Sequence, residues 1–313
     1  MTRPLWIALA WAAGLLGASA LAFALGSYHT DIYRKMLIWV AMALSFNFLF
    51  GVAGQVAFSH FSFASIGAYG VVILSHQLGL PFGVALLAAV IICALLAFVV
   101  AAPATRLEGF YLALATLAFS QLVRVVIDEG GTLTGGTGGI ANYRLPPILG
   151  MDLRGPWYTI CLVLLVATTL WILQRVDGSW FGRACRAVRD NPRAAEAMGV
   201  NLARTKILVF VLTSTLAGIA GIGYAYVDNV INPAVFGLDN TFLLLFMIII
   251  GGSGRHAGAM LGAVVLYLSP FALEPLVGNH YMLVFGLLIV LSILFRPDGL
   301  IGLLSPSKQG RAI

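Results

Sequence analysis

Lysine is nearly missing from this sequence. Its 313 residues include only Lys35, Lys206 and Lys308, and none of them follows a glycine. A Walker A nucleotide loop needs Gly-Lys-Ser/Thr, with the lysine on the phosphates, so the chain carries no such loop. Carboxylates are also scarce, 12 Asp and Glu in all, and the apolar runs hold almost none. That argues against an ion-coupled secondary transporter acting alone, which commonly keeps acidic groups inside the membrane. Cysteine is limited to Cys93, Cys161 and Cys185, too far apart for a disulfide framework or a metal spacing. His29, His60, His76, His256 and His280 are scattered, and neither H-E-x-x-H nor G-x-S-x-G occurs. With no catalytic constellation, the chain reads as a non-enzyme.

Hydrophobic residues make up 60% of the chain, charged ones only 10%, and the mean hydropathy is +0.98. Soluble domains carry roughly 25% charged residues, so this composition describes an all-α, polytopic transmembrane bundle. The net charge of +6 suits cytoplasmic loops rather than nucleic-acid binding. The apolar runs predict about ten spans, with eight to ten as the range. They are Trp6–Leu25, Met36–Val52, Val56–Ser75, Pro81–Ala102, Gly109–Ile127, Trp157–Leu173, Ile207–Val227, Thr241–Gly251, Gly258–Ser269 and Tyr281–Leu294. The first is long enough to be a retained helix rather than a cleaved signal. The eighth and ninth are short for a span and read as extended into their flanks or as broken helices.

The densest polar stretch is WFGRACRAVRDNPRAAEAMGVNLARTK, residues 180–206. Placed in the cytoplasm, it also puts Arg3, Arg106, Arg255, Lys308, Arg311 and both termini inside, as the positive-inside rule asks. Arg34-Lys35 is the exception and falls outside. Within the stretch, Asn191 suits an N-cap and Pro192 the first helical position. Gly199 suits a left-handed end. These signals predict a helix over Pro192–Met198. So short a helix is marginal alone and calls for a partner surface.

Other features carry two readings each. Gln55, Ser59, His60, Ser62 and Ser65 make the third span unusually polar, with Thr116 and Gln121 on the fifth. They either line a substrate pathway or bond helix to helix. Thr134-Gly-Gly-Thr-Gly-Gly139 is an anion cradle or an outer loop, the latter favoured. Gly14 and Ala18, then Ala217, Gly221 and Ala225, recur at four-residue spacing and fit close helix packing. Gly51–Gly70 and Gly251–Val264 both follow an apolar span with clustered glycines, which suggests an internal repeat of the kind transporters use.

With these pieces assembled, the sequence resembles the LivM-type permease subunits of ABC importers for branched-chain amino acids. The resemblance rests on Gly51–Tyr69, Arg106–Phe119, Thr134–Ile140, Gly182–Lys206 and Phe295–Leu300, in that order. One departure is AFSHFSF around His60, where the family pattern is nearer S-L-G-H-A-x-F. The resemblance implies one transmembrane permease domain over residues 1–313, in the inner membrane, with a cytoplasmic coupling segment at 180–206. It implies no cofactor on this chain, ATP and Mg on partner subunits, and no nucleic acid. The partners would be a second homologous permease, two cytoplasmic ATPases, a periplasmic substrate-binding protein and membrane lipid. Arg189, Arg193 and Glu196 would contact or orient an ATPase, while Ala195 and Gly199 would permit its close approach. The rival cargo for the same machine is urea or a short amide.

Overall fold

The computed structural model describes residues 27–104, 107, 109–143, 156–227, 230–280, 284, 286, 287, 290 and 299–304. The expected spans at Trp6–Leu25 and, almost entirely, Tyr281–Leu294 lie outside these, as do Gly14, Ala18, Arg3, Arg106, Lys308 and Arg311. The described residues are helical apart from one strand pair and the connecting turns. In chain order the main helices are α1 (Ser27–Asn47), α2 (His60–Val72), α3 (Phe82–Ala104), α4 (Phe110–Asp128), α5 (Pro156–Gly178), α6 (Trp180–Asp190), α7 (Pro192–Ala197), α8 (Leu202–Val227), α9 (Leu238–Gly251), α10 (His256–Val277) and α11 (Ile301–Leu304). Wider turns of π-helix continue α1 to Val52 and α2 to Gln77. Among the described residues, six helices are long and apolar enough to cross a membrane.

The centre of the bundle is α2. Eleven of its 13 residues are buried, so it faces protein on all sides, packed mainly by α8 and α3, with α4 and α9 also against it and α1 touching it through Trp39 and Phe46. Its neighbours reach it through small residues. Ala85, Ala89, Cys93, Ala97 and Ala101 recur every four residues along α3 and form its one buried stripe. Leu87, Ile91, Leu95, Phe98 and Val99 on the rest of α3 are exposed, the surface a lipid-facing helix presents. Ala217, Gly221 and Ala225 on α8 are buried as their spacing predicts. At the other end from the arginine-rich stretch, Ile140–Ala141 (β1) pairs antiparallel with Val230–Ile231 (β2), Ile140 opposite Ile231. The Thr134–Gly139 segment leads into that pair, with the Thr134 hydroxyl donating to the Ile127 carbonyl at 2.6 Å.

Two spans differ from expectation, the third and the second, while the ninth extends into its flanks as one of its two readings has it. The third does not begin at Val56: residues 53–59 are non-helical and α2 starts at His60. The chain there is apolar enough to read as a span, but the left-handed backbone at Gly54 (φ 70) breaks it. The ninth is a full span, His256–Val277, whereas the eighth stays short at 14 residues. The second begins at Ser27, so Arg34-Lys35 is not in a loop but inside α1. Arg34 is tolerated because its Nε donates to the Thr159 hydroxyl at 2.9 Å and its Nη1 pairs with Asp31 at 3.1 Å. Its guanidinium also lies 5.6 Å from the Tyr158 ring centre. Pairing of this kind is what makes a charge affordable in a low-dielectric interior.

Candidate functional site

The arginine-rich stretch is a hairpin of two capped helices. Ser179 caps α6, its hydroxyl oxygen accepting from the N–H groups of Phe181 and Gly182. Asn191 then serves twice: its N–H closes α6 onto the Ala187 carbonyl, and its side chain accepts from Ala194 to start α7. Pro192 takes the first position. The end of α7 is a Schellman turn, with Gly199 N–H on the Glu196 carbonyl at 2.9 Å and Val200 N–H on Ala195 at 3.0 Å. Gly199 supplies the left-handed residue, φ 84. The helix thus ends at Ala197, one residue short of expectation.

The hairpin has two faces. Gly182, Ala184, Cys185 and Val188 of α6 and Ala195 of α7 turn inward. Burial pushes the Cys185 thiol up to about 12, so it stays protonated and unreactive at neutral pH. Arg193, Glu196, Ala197, Met198 and Gly199 are exposed, Met198 to 86%. Ala195, at 4% exposure, packs against its own chain, while its neighbours Arg193 and Glu196 flank it on the open side.

Arg189 points the other way. Its Nη1 donates to the Gly51 carbonyl at 2.6 Å, and its Nε and Nη2 reach Asp190. Gly51 and Gly54 sit at the break between α1 and α2, and a Cβ on Gly54 would run into the Arg189 stem. The other glycine cluster meets them here. Gly254 N–H donates to Asn47 Oδ1 at 2.8 Å, and a Cβ on Gly51 would collide with the Gly254 backbone. Gly299 lies against Gly252, and Leu300 N–H donates to the Ile250 carbonyl at 2.7 Å. Beside this node Asp177 pairs with Arg186 and lies 3.8 Å from His256. The two glycine-rich stretches that suggested a repeat therefore touch, and each leads into a helix beginning with histidine, His60 or His256. Through Arg189 the hairpin grips the first of them.

The polar residues of the third span are spread over several contacts. Gln55 Nε2 donates to the Lys206 carbonyl at 3.3 Å, tying the break to the start of α8. Thr116 Oγ1 accepts from the Phe58 N–H at 2.9 Å. Ser62 donates to Ser120 at 2.7 Å, and Ser65 to the Ser62 carbonyl at 2.7 Å. His60 Nε2 lies 3.3 Å from the Ser45 hydroxyl. The Ser59 hydroxyl and His60 Nδ1 find no partner among the described residues. Gln121 is half-buried on α4. Ser62 and His60 join helix to helix, Gln55 and Thr116 tie the break to α8 and α4, and all of these groups but Gln121 are buried.

Sequence reasoning missed α6 and the inward course of Arg189. The first had a signal: Ser179 ahead of Ala184, Cys185 and Val188 at helical spacing. The second had none, because its partner is a backbone carbonyl 138 positions away.

The family described as "Branched-chain amino acid transport system / permease component" matches residues 28–293. The high-affinity branched-chain amino acid permease protein LivM of Salmonella typhimurium is 29% identical over 95% of this chain and 76% of its own length. LivH of Escherichia coli is 24% identical over 84% of this chain and 91% of its own length. The autoinducer 2 import system permease LsrC of Salmonella paratyphi B is 29% identical over 51% of this chain and 46% of its own. No solved structure matches the chain.

Proposed function

The chain belongs to the family of permease components of branched-chain amino acid transport systems, and on that premise we propose how its parts divide the work. It is a multi-pass membrane protein and the non-catalytic, path-forming subunit of an ABC importer. Its cargo is a branched-chain or other hydrophobic amino acid. A second homologous permease completes the path, a periplasmic binding protein delivers cargo to the β1–β2 end, and two ATPases hold the ATP and Mg. The α6–α7 end and both termini are cytoplasmic. The similarity to an autoinducer 2 permease over half the chain is the observation that favours a second reading, the same body serving a different small polar cargo.

The hairpin carries the proposal. A six-residue helix with both ends capped would be unstable alone, yet here it stands braced from behind, with Arg193, Glu196 and Met198 facing out. That is the form of a docking knob. Arg193 and Glu196 touch the ATPase, and the buried Ala195 seats the helix on the bundle. Gly199 is exposed with open space around its Cα, so a partner can approach it closely. Arg189 works from behind the knob and ties it to the α1–α2 break.

Reversing the charge at the knob is the test. Glu196→Arg is expected to lower recovery of the ATPases on purification of the tagged permease by about tenfold, as loss of a desolvated interface charge does. The permease itself should be as abundant as before, since Glu196 is exposed. Unchanged recovery with normal uptake would remove the docking assignment.

A further inference from the structure

The end of α5 gathers side chains that the docking knob leaves unused. At 23 residues α5 is about 34 Å long, slightly more than the roughly 30 Å hydrocarbon core of a bilayer. Its last turn therefore emerges at headgroup level. Trp157, Cys161, Leu164, Thr168, Trp171 and Arg175 recur at helical spacing and are all exposed. They form one stripe, mainly apolar until its end, as on a helix that faces lipid. The stripe closes on Trp171 and Arg175, and Trp180 stands exposed just beyond, at the start of α6. Amphipathic rings of this kind settle at the membrane–water interface.

Two cations meet there. The Arg175 guanidinium lies 5.5 Å from the Trp171 ring centre, so the side chain leans back along the helix toward the hydrocarbon. An arginine at a helix end ordinarily snorkels the other way, out to water. Gly178 follows Arg175 by three residues and shares its face, and Arg183 Nη1 reaches back to the Gly178 carbonyl at 3.4 Å. Two guanidiniums thus flank one helix end. Among the described residues neither has a carboxylate partner, whereas Arg186 has Asp177 and Arg189 has Asp190. Asp177 does not serve Arg175. It stands two residues on, across the helix, with Arg186 and near His256. Charge left uncompensated at the level of the tryptophans calls for an anion that the bilayer itself supplies. A lipid phosphate offers the oxygens that a guanidinium fork fits. A zwitterionic headgroup would bring its own cation against the two arginines; an anionic one does not.

We propose that the α5–α6 junction binds an anionic phospholipid, its phosphate between Arg175 and Arg183 and its upper acyl carbons against Trp171 and Trp180. Ser179, the cap of α6, lies in the chain between the two arginines. The lipid therefore fixes the point at which the docking hairpin leaves the membrane. The site is independent of which cargo the transporter carries.

The complete transporter is placed in nanodiscs containing phosphatidylglycerol with a diazirine near the top of one acyl chain. After photolysis, adducts are mapped by mass spectrometry. Adducts on Thr168, Trp171 or Trp180, suppressed by excess phosphatidylglycerol but not by phosphatidylcholine, are the expected result. The double variant Arg175→Gln, Arg183→Gln should lower them about tenfold, as the loss of two cations at a membrane surface does, with the ATPases still recovered. Arg204→Gln, which removes an exposed cation at the start of α8, should leave them unchanged. Suppression by both lipids alike overturns the site, leaving only an unselective belt, and so do adducts that the double variant does not lower. Loss of the ATPases from the double variant also overturns it and gives these arginines to the ATPase interface instead.

Discussion

Arg189→Ala is expected to leave an assembled transporter that hydrolyses ATP but moves about tenfold less leucine per ATP. The residue does not belong to the outward face of the knob, where Arg193, Glu196 and Met198 stand, so docking survives its loss. It joins the knob to the break between α1 and α2 through the 2.6 Å bond to the Gly51 carbonyl. A hydrogen bond from a charged donor contributes about 1.5–3 kcal/mol, and its removal leaves that carbonyl without its guanidinium. The hairpin then moves with the ATPase while the break stays behind. Arg189→Lys should be intermediate, because a single ammonium cannot hold the fixed fork that reaches both Gly51 and Asp190. The measurement is leucine taken up per ATP hydrolysed in proteoliposomes. A residue that merely stabilised the fold would lower both quantities together, and an unchanged ratio would remove Arg189 from the transmission path.

Gly221→Val should nearly abolish folded protein in the membrane. At the crossing of α2 and α8, a Cβ on Gly221 would collide with the Ala64 carbonyl, and one on Gly67 with the Gly218 carbonyl. Both obstacles are backbone, so neither can swing aside. Overpacking costs about 1–3 kcal/mol in a well-packed core, occasionally more. Gly221→Ala is expected to lose about half of the detergent-extracted, monodisperse protein, with Val far worse than Ala. Gly83→Ala is the control. Gly83 lies in the first turn of α3 with nothing within 4 Å of an added Cβ, so alanine there is neutral or slightly stabilising. The check is size-exclusion recovery at equal expression; equal recovery of Gly221→Val and wild type would contradict the close-packed crossing.

Much of this was legible from residues, and the exceptions share a cause. The caps of α7 were readable because Asn191, Pro192 and Gly199 act on their own backbone within three residues. The small-residue spacing on α8 was readable for the same reason: a period needs only the local chain. The break before α2 was not, because Val56, Ala57 and Phe58 are as apolar as a helix interior and only the φ of Gly54 interrupts them. Arg34 misled for the opposite reason. Its charge reads as a loop until Thr159 and Tyr158, on a helix some 125 positions later, are known to receive it. Ser62 carried two readings, pathway lining or helix-to-helix bonding, and the Ser120 hydroxyl 2.7 Å away is the partner the second one needs. Sequence period and capping describe a helix alone; they do not say which groups another helix satisfies.

The claim that organises the rest is that α7 is the surface on which an ATPase docks, with Met198 at its tip and Ala195 at its root. A photoreactive benzoyl-phenylalanine placed at Met198 in the complete, transporting complex tests it most directly. The expected result is an adduct with an ATPase subunit on illumination, and none from the same group at the distant, exposed position Leu95 on α3. An assembled complex that takes up leucine yet gives no ATPase adduct from Met198, or gives one equally from Leu95, would contradict it.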